Sequence, residues 1–109
     1  MLILLDKKAD AEILQKVAED LYGYIKFVVD VEKQIMTAGG LRHFEGEQLL
    51  ISRGSSQSNL WGGGIDLQTQ EMDFDSMINI RLSQNNPSRE VLDLKLREQI
   101  KVIVSKLLL

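Results

Sequence analysis

Several residue types that build common active sites are scarce or missing. The 109-residue chain has no cysteine, and it has one histidine, one proline and one tryptophan. The absence of cysteine excludes disulfides, thiolate metal sites and cysteine nucleophiles. A single histidine would leave a zinc ion with carboxylates as its other ligands, which is a poor set. We therefore expect no metal and no cofactor.

Long apolar runs and a strong charge of one sign are also missing. Leu2–Leu5 and Leu107–Leu109 are far too short to span a bilayer, and Asp6 follows the first run too soon for a secretory signal. The net charge of −3 provides no global basic field to hold nucleic acid. We expect a cytoplasmic protein whose partners include neither nucleic acid nor a membrane. The lack of cysteine fits a reducing compartment.

The residues that are present suffice for one folded domain. Apolar residues make up 44% of the chain and charged residues 27%, which is an ordinary balance for a globular protein. A chain of this length forms one hydrophobic core, so residues 1–109 are predicted to be a single domain.

Two segments have the periodicity of amphipathic helices. Residues 10–22 carry an apolar stripe at helical spacing, and Gly23 follows as a residue that can end the helix in the left-handed region. Residues 94–108 have a broad apolar face, and Asp93 is a good N-cap for them. The sequence therefore predicts one helix near each end of the chain.

The remaining segments favour strands. The clearest is Tyr24–Glu32, which alternates in pattern and has a continuation through Ile35–Ala38 past a bulge at Lys33-Gln34. The other predicted strands are Leu2–Leu5, Glu47–Arg53, Ile65–Thr69 and Phe74–Leu82. This order predicts an α+β fold in which two helices pack on one face of a mainly antiparallel, or mixed, sheet of about five strands.

Six short segments, spread over nearly the whole chain, carry a family resemblance. They are Tyr24-Ile25-Lys26, Val29-Asp30-Val31-Glu32, Asn59-Leu60-Trp61-Gly62, Ile78-Asn79-Ile80-Arg81, Gln84-Asn85-Asn86 and Leu96-Arg97-Glu98. In these segments the chain resembles a family of short bacterial proteins recorded only as a domain of unknown function. The resemblance implies a small stand-alone bacterial protein and brings no activity with it. The Gly62-Gly63-Gly64 run departs from the family pattern.

A polar cluster is predicted on two of the strands. Asp30 and Glu32 share a strand face, which puts their carboxylates roughly 6–7 Å apart, a spacing that suits a divalent cation or an acid–base pair. The alternative is a solvent face with the carboxylates paired to Lys26 or Arg81. If the strands are neighbours, Asn79 and Arg81 join the cluster. Arg81 then either presents donors to a phosphate or carboxylate ligand or belongs to an ion-pair lattice that fixes register.

Two further features lie close to this cluster in the sequence. The amides of Gln84, Asn85 and Asn86 are suited either to a polar ligand or to ordinary turn chemistry. Trp61 precedes Gly62–Gly64 and is either a rim aromatic beside a ligand or a core residue, because bare glycine permits a close approach as well as a bend. No phosphate loop and no dinucleotide fingerprint is present.

The single histidine, His43, falls in the predicted loop Leu41–Gly46. A serine triad would need His43 beside Ser55, Ser56 or Ser58, but the sequence contains no nucleophile elbow. We therefore expect an exposed loop histidine.

Three functions are compatible with these residues. The first is a binding module for a small polar or anionic ligand or for a partner segment. Its predicted ligand-binding residues are Asp30, Glu32, Trp61, Asn79, Arg81, Gln84, Asn85 and Asn86. The second is a metal-assisted hydrolase that uses Asp30 and Glu32, with Arg81 as the charge stabiliser. The third is a structural homo-oligomer whose interface is the C-terminal helix with its terminal leucines.

Overall fold

A five-stranded antiparallel sheet forms the centre of the computed structural model, which describes residues 1–109. The order across the sheet is β1-β3-β2-β4-β5. The central strand is β2, in which Phe27 lies opposite Ala38 of β3 and Gly63 of β4. The strands are β1 (Leu2–Leu5), β2 (Tyr24–Asp30), β3 (Ile35–Gly39), β4 (Leu60–Asp66) and β5 (Met72–Asp73).

Three helices pack on this sheet, one more than the sequence predicts. Helices α1 (Ala11–Glu19) and α3 (Leu94–Leu107) confirm the two predicted helices. Asp10 and Asp93 act as their N-caps, because each side chain accepts a hydrogen bond from a backbone N–H of the first turn. The additional helix is α2 (His43–Ser52). The fold class, α+β with an antiparallel sheet of five strands, is as predicted.

The main core lies between the sheet and the pair α1 and α3. Alternation along β2 directs Ile25, Phe27 and Val29 to this face, and all three are almost fully buried. They belong to one apolar cluster with Val17 of α1 and Ile100 of α3. The periodicity of the sequence identified these helices because each buries a single apolar stripe.

Helix α2 covers the opposite face of the sheet, so the predicted loop and strand over residues 41–53 are wrong. Leu50 packs there with Val28 and Leu60 in a second, smaller cluster. Gly46 brings the helix close to the sheet, because a Cβ at that position would lie 3.0 Å from Val28 Cγ2. Alternating apolar residues had indicated a strand, but the contact with the sheet is made at helical spacing.

The chain reverses after β2 instead of continuing past a bulge. Residues 31–34 form a turn, and β3 returns antiparallel to β2 with Asp30 opposite Ile35. Gln34 completes the turn in the left-handed region at φ 57°. The predicted bulge is therefore wrong, and the segment is a hairpin.

The predicted strand Phe74–Leu82 is also wrong. Only β5 pairs with β4 in this region, and two 3₁₀ turns follow it. The burial does not alternate as in a strand, because the polar Ser76 and Asn79 are buried while Ile80 and Leu82 are exposed. An inward polar side chain requires hydrogen-bond partners, and the segment supplies them from backbone groups.

The C-terminal leucines complete the core of their own chain. Leu107 and Leu108 are buried in the main cluster. Their apolar character is therefore explained without a second chain. Leu94 and Val102 remain exposed on the outer surface of α3.

We expect Leu108→Ala to lower the free energy of unfolding by about 2–5 kcal/mol, because it leaves a cavity in the core. The matched variant Leu94→Ala, at the exposed start of the same helix, should change it by less than about 0.5 kcal/mol. Urea unfolding followed by far-UV circular dichroism measures both. Equal effects of the two substitutions would contradict the burial of the C-terminus.

Candidate functional site

The amide of Asn79 forms hydrogen bonds along the edge of β4. Its Oδ1 accepts from the Gly62 N–H at 2.8 Å, and its Nδ2 donates to the Gly62 carbonyl at 2.9 Å. A single side chain thus satisfies both backbone groups of one strand residue, as a neighbouring strand would. The same Nδ2 also contacts the carbonyls of Phe74 and Arg89, both at 3.0 Å. Asn79 is fully buried, and both polar atoms of its side chain are hydrogen-bonded to backbone groups.

Arg81 extends this edge toward the start of β4. Its guanidinium donates to the carbonyls of Ile78, Gln57 and Leu60 and to the side chain of Gln84. The guanidinium carbon also lies 4.1 Å from the centre of the Trp61 ring, which is a cation–π contact. Burial lowers the pKa of Arg81 from its ordinary value, and the negative charge of nearby Glu47 opposes that effect.

The amide-rich loop is held by its own hydrogen bonds. Asn86 donates to the carbonyl of Asn79 at 2.8 Å, and its Oδ1 accepts from the Leu92 N–H at 3.0 Å. Gln84 donates to the carbonyl of Ser58 at 2.9 Å. Asn85 takes the left-handed conformation at φ 57°, which asparagine tolerates in turns.

The two carboxylates of the predicted cluster belong to the hairpin between β2 and β3. Asp30 is fully buried and accepts from the N–H groups of Glu32 and Lys33 and from the Ser55 hydroxyl, the last at 2.6 Å. The Glu32 carboxylate accepts from the Asn59 side chain at 2.7 Å. Asp30 therefore closes a turn, with both of its oxygens in hydrogen bonds.

The shared polar cluster depended on the adjacency of two strands, and that condition is not met. β2 pairs with β3 and β4, and neither Asp30 nor Glu32 forms an ion pair with Arg81. The structure does bring Asn79, Arg81, Trp61 and the amide loop together, but it does so around the edge of β4. None of the eight predicted residues lines a cleft. Ligand binding by this set stays a prediction.

The largest cleft lies on the α2 side of the sheet and has a volume of about 390 Å³. One wall is the start of α2, and the opposite wall is the segment that runs from β5 into the first 3₁₀ turn. The floor is formed by Tyr24 and Lys26 of β2. The lining residues are Tyr24, Lys26, Arg42, His43, Phe44, Asp73, Asp75, Ser76, Met77, Ile78 and Arg89.

Glycines in β4 make room for the side chains around this floor. A Cβ on Gly62 would lie 2.8 Å from Ser76 Cβ and 3.0 Å from His43 Cδ2, and one on Gly64 would overlap the Tyr24 phenol. Gly62 pairs with Val28 and Gly64 with Lys26 of β2, so both glycines leave bare backbone on the side of the sheet that α2 covers. Gly62 and Gly64 therefore allow other side chains to approach the strand closely.

His43 lies at the first position of α2, against that bare backbone, so the exposed loop histidine predicted from the sequence is wrong. Its Nε2 is 2.7 Å from the Gly63 carbonyl, which can only accept, so Nε2 carries the proton. Burial, reinforced by the charge of Lys26, lowers the pKa of His43 below its ordinary value of 6.5. The ring is therefore neutral at pH 7, with Nδ1 as a hydrogen-bond acceptor.

The charges of the cleft are unevenly paired. The Tyr24 hydroxyl donates to Asp73 at 2.6 Å, and burial together with this bond raises the tyrosine pKa far above its ordinary value. Arg89 pairs with Asp75 at 3.0 Å. Lys26 and Arg42 have no ion-pair partner in the structure. Two cations are thus available to an incoming group.

Most of this cleft was not predicted from the sequence, because its residues come from four separate segments of the chain. The signal that could have located the cleft is the glycine run within a strand, which indicates close approach of other groups. His43 was the other signal, because it is the single histidine of the chain. Both features were noted, but nothing local joined them to Tyr24 or Lys26.

The chain belongs to the family described as "Protein of unknown function (DUF5674)", whose model matches residues 3–107. The family resemblance stated from the sequence is thereby confirmed. No curated protein and no solved structure matches the chain. None of its helices has the length and apolar character required to cross a membrane.

We expect Gly64→Ala to lower the free energy of unfolding by about 1–3 kcal/mol, because the new methyl group overlaps Tyr24. In a Tyr24→Ala background the obstacle is gone, so the same substitution should cost at least about 1 kcal/mol less. Urea unfolding of the four proteins measures this coupling. Additive effects would contradict the packing of Tyr24 over Gly64.

The NMR signal of the His43 imidazole should titrate with a midpoint below pH 6.5. Its assignment is unambiguous because the chain has one histidine. The unfolded chain takes up this proton first, so His43 should reduce stability as the pH falls below 6.5. NMR of the imidazole protons gives the midpoint. His43→Asn should weaken the loss of stability between about pH 7.5 and 5. A midpoint at or above 6.5 would contradict the buried neutral ring.

Proposed function

We propose that the protein is a small-molecule binding module whose ligand is an anion held in the cleft between α2 and the segment that follows β5. The observation that carries the proposal is the presence of two basic side chains, Lys26 and Arg42, that line the cleft without an ion-pair partner. Arginine and lysine are the residues that most often bind phosphate and carboxylate groups.

The charge within the cleft favours the binding of an anion, whereas the overall charge of the chain does not. The cleft contains Lys26, Arg42 and Arg89 against Asp73 and Asp75, with His43 neutral at pH 7. Its balance is therefore positive, although the whole chain carries −3. Positive charge confined to a concave surface of an acidic protein attracts anions to that surface.

The backbone supports the same conclusion. The cleft includes the start of α2, where N–H groups of the first turn and the helix dipole favour negative charge. Glu45 accepts from the backbone N–H groups of Leu41 and Arg42, both at 2.9 Å, which fixes the backbone at the helix start. A volume of about 390 Å³ is within the range of small-ligand sites.

A second candidate is proton-transfer catalysis in the same cleft. The Nε2 proton of His43 is engaged by a carbonyl and burial keeps the ring neutral at pH 7, so Nδ1 is the atom that could accept a proton. The metal-assisted hydrolase built on Asp30 and Glu32 has less support, because those carboxylates line no cleft. The bacterial origin, the cytoplasmic location and a homo-oligomer through α3 also stay proposals.

Titration of ¹⁵N-labelled protein with inorganic phosphate tests the binding proposal. Saturable shifts are expected at the amides around Lys26 and Arg42. Lys26→Ala and Arg42→Ala should each weaken binding by about tenfold, since a charge-assisted hydrogen bond contributes about 1.5–3 kcal/mol.

Lys95→Ala and Arg53→Ala are the matched controls, because both side chains are exposed and lie outside the cleft. They should leave the affinity for phosphate unchanged. Shifts that never saturate, or an equal loss of affinity in the control variants, would contradict a specific anion site.

A further inference from the structure

The cleft has an apolar rim above its basic floor. Phe44 and Met77 line opposite walls, one on α2 and the other on the first 3₁₀ turn. Their side chains are 61% and 64% exposed, although both are large and apolar. Exposed apolar residues that are scattered need no explanation, but two of them at the mouth of one polar cleft form a surface for a ligand.

We infer that the ligand is an organic anion with an apolar, preferably aromatic, body: its phosphate or carboxylate group meets Lys26 and Arg42 while its body lies between Phe44 and Met77. This inference rests on the proposed anion site and names the class of ligand. An aromatic body would stack on the Phe44 ring, and the Met77 thioether would contact its edge.

The size of the cleft argues against a bare inorganic anion. At about 30 Å³ per water molecule, 390 Å³ holds about a dozen waters. An anion of five heavy atoms would fill less than half of that space and leave Phe44 and Met77 in water. A ligand with a ring attached to the anionic group would fill the cleft and cover both side chains, with a gain of about 25 cal/mol for each Å² of apolar surface removed from water.

The polar walls limit where the apolar body can lie. Tyr24 and Asp73 are partly buried and share a hydrogen bond, while Asp75 and Arg89 are about half exposed and form an ion pair. A ring placed against them would separate these groups from their partners or strip their water, which is costly. The rim formed by Phe44 and Met77 is the lining that an apolar group can cover without that cost.

Two pairs of probes test the inference on the full-length protein by ¹⁵N NMR titration. The first pair is phenyl phosphate and inorganic phosphate, and the second is benzoate and acetate; each pair shares an anionic group and differs in the ring. We expect the aromatic member of at least one pair to bind about tenfold or more tightly than its partner, with shifts at Phe44 and Met77. The pair that shows the preference identifies the anionic group as phosphate or carboxylate.

Phe44→Ala and Met77→Ala should reduce that preference toward equal affinity. Leu82→Ala is the matched control, because Leu82 is exposed and apolar but lies outside the cleft; it should leave the preference unchanged. These three side chains are exposed, so none of the substitutions is expected to unfold the chain.

The remaining outcomes separate the two proposals. Equal affinity within both pairs, with binding that depends on Lys26 and Arg42, would overturn the apolar body and leave the anion site standing. Absence of saturable binding by all four probes would overturn both proposals. An aromatic preference that survives in Phe44→Ala and Met77→Ala would place the ring elsewhere and overturn the inference.

Discussion

The two hydrogen bonds between the Asn79 amide and the backbone of Gly62 fix the side of the molecule on which the cleft lies. β4 has a neighbouring strand along its whole length on the β2 side, but β5 covers only its far end on the other. Asn79 forms hydrogen bonds with the Gly62 backbone at the part of this edge that β5 leaves uncovered. Arg81 does the same for the Leu60 carbonyl. Without these contacts, the segment after β5 would have little to hold it beside the sheet.

Two glycines of β4 complete that arrangement. Gly62 leaves space for Ser76 and the His43 ring, and Gly64 leaves space for Tyr24. The cleft is therefore defined by three segments that converge on bare backbone, each fixed by a polar contact with a strand or its neighbour. Burial then sets the protonation of the site, with a neutral His43 and a protonated Tyr24 between charged groups. Of the basic side chains in the cleft, Arg89 is paired with Asp75, while Lys26 and Arg42 have no ion-pair partner.

The elements that depend on contacts between residues close in sequence were predicted correctly. The two terminal helices were identified because their apolar stripes and their caps, Asp10 and Asp93, lie within a few residues of each other. β1 and the hydrophobic alternation of β2 were likewise visible. Helix α2 was missed because Gly46 lowers helix propensity and its contact with the sheet is narrow.

The site was missed for a different physical reason. The partner of Asn79 is a backbone group 17 residues away, and that of the Tyr24 hydroxyl lies 49 residues away. Such pairs leave no periodicity in the sequence, so polar residues that hold the interior together were interpreted as ligand groups. The Asp30 carboxylate is a similar case. Its bonds within the turn are local, but the buried Ser55 hydroxyl that donates to it lies 25 residues away. Tertiary hydrogen bonds override the rule that polar residues face water.

The hydrogen bonds of Asn79 and Arg81 to β4 also affect how the protein associates with other copies of itself. An open strand edge is a template to which a strand from another chain can add, and this is a common route to aggregation. At Gly62 both backbone groups are already engaged, and the Leu60 carbonyl is occupied by a guanidinium. A foreign strand would first have to displace Asn79 and Arg81. These hydrogen bonds therefore protect this edge of the sheet against pairing with a strand of another chain. They do so while leaving the neighbouring cleft open to small molecules.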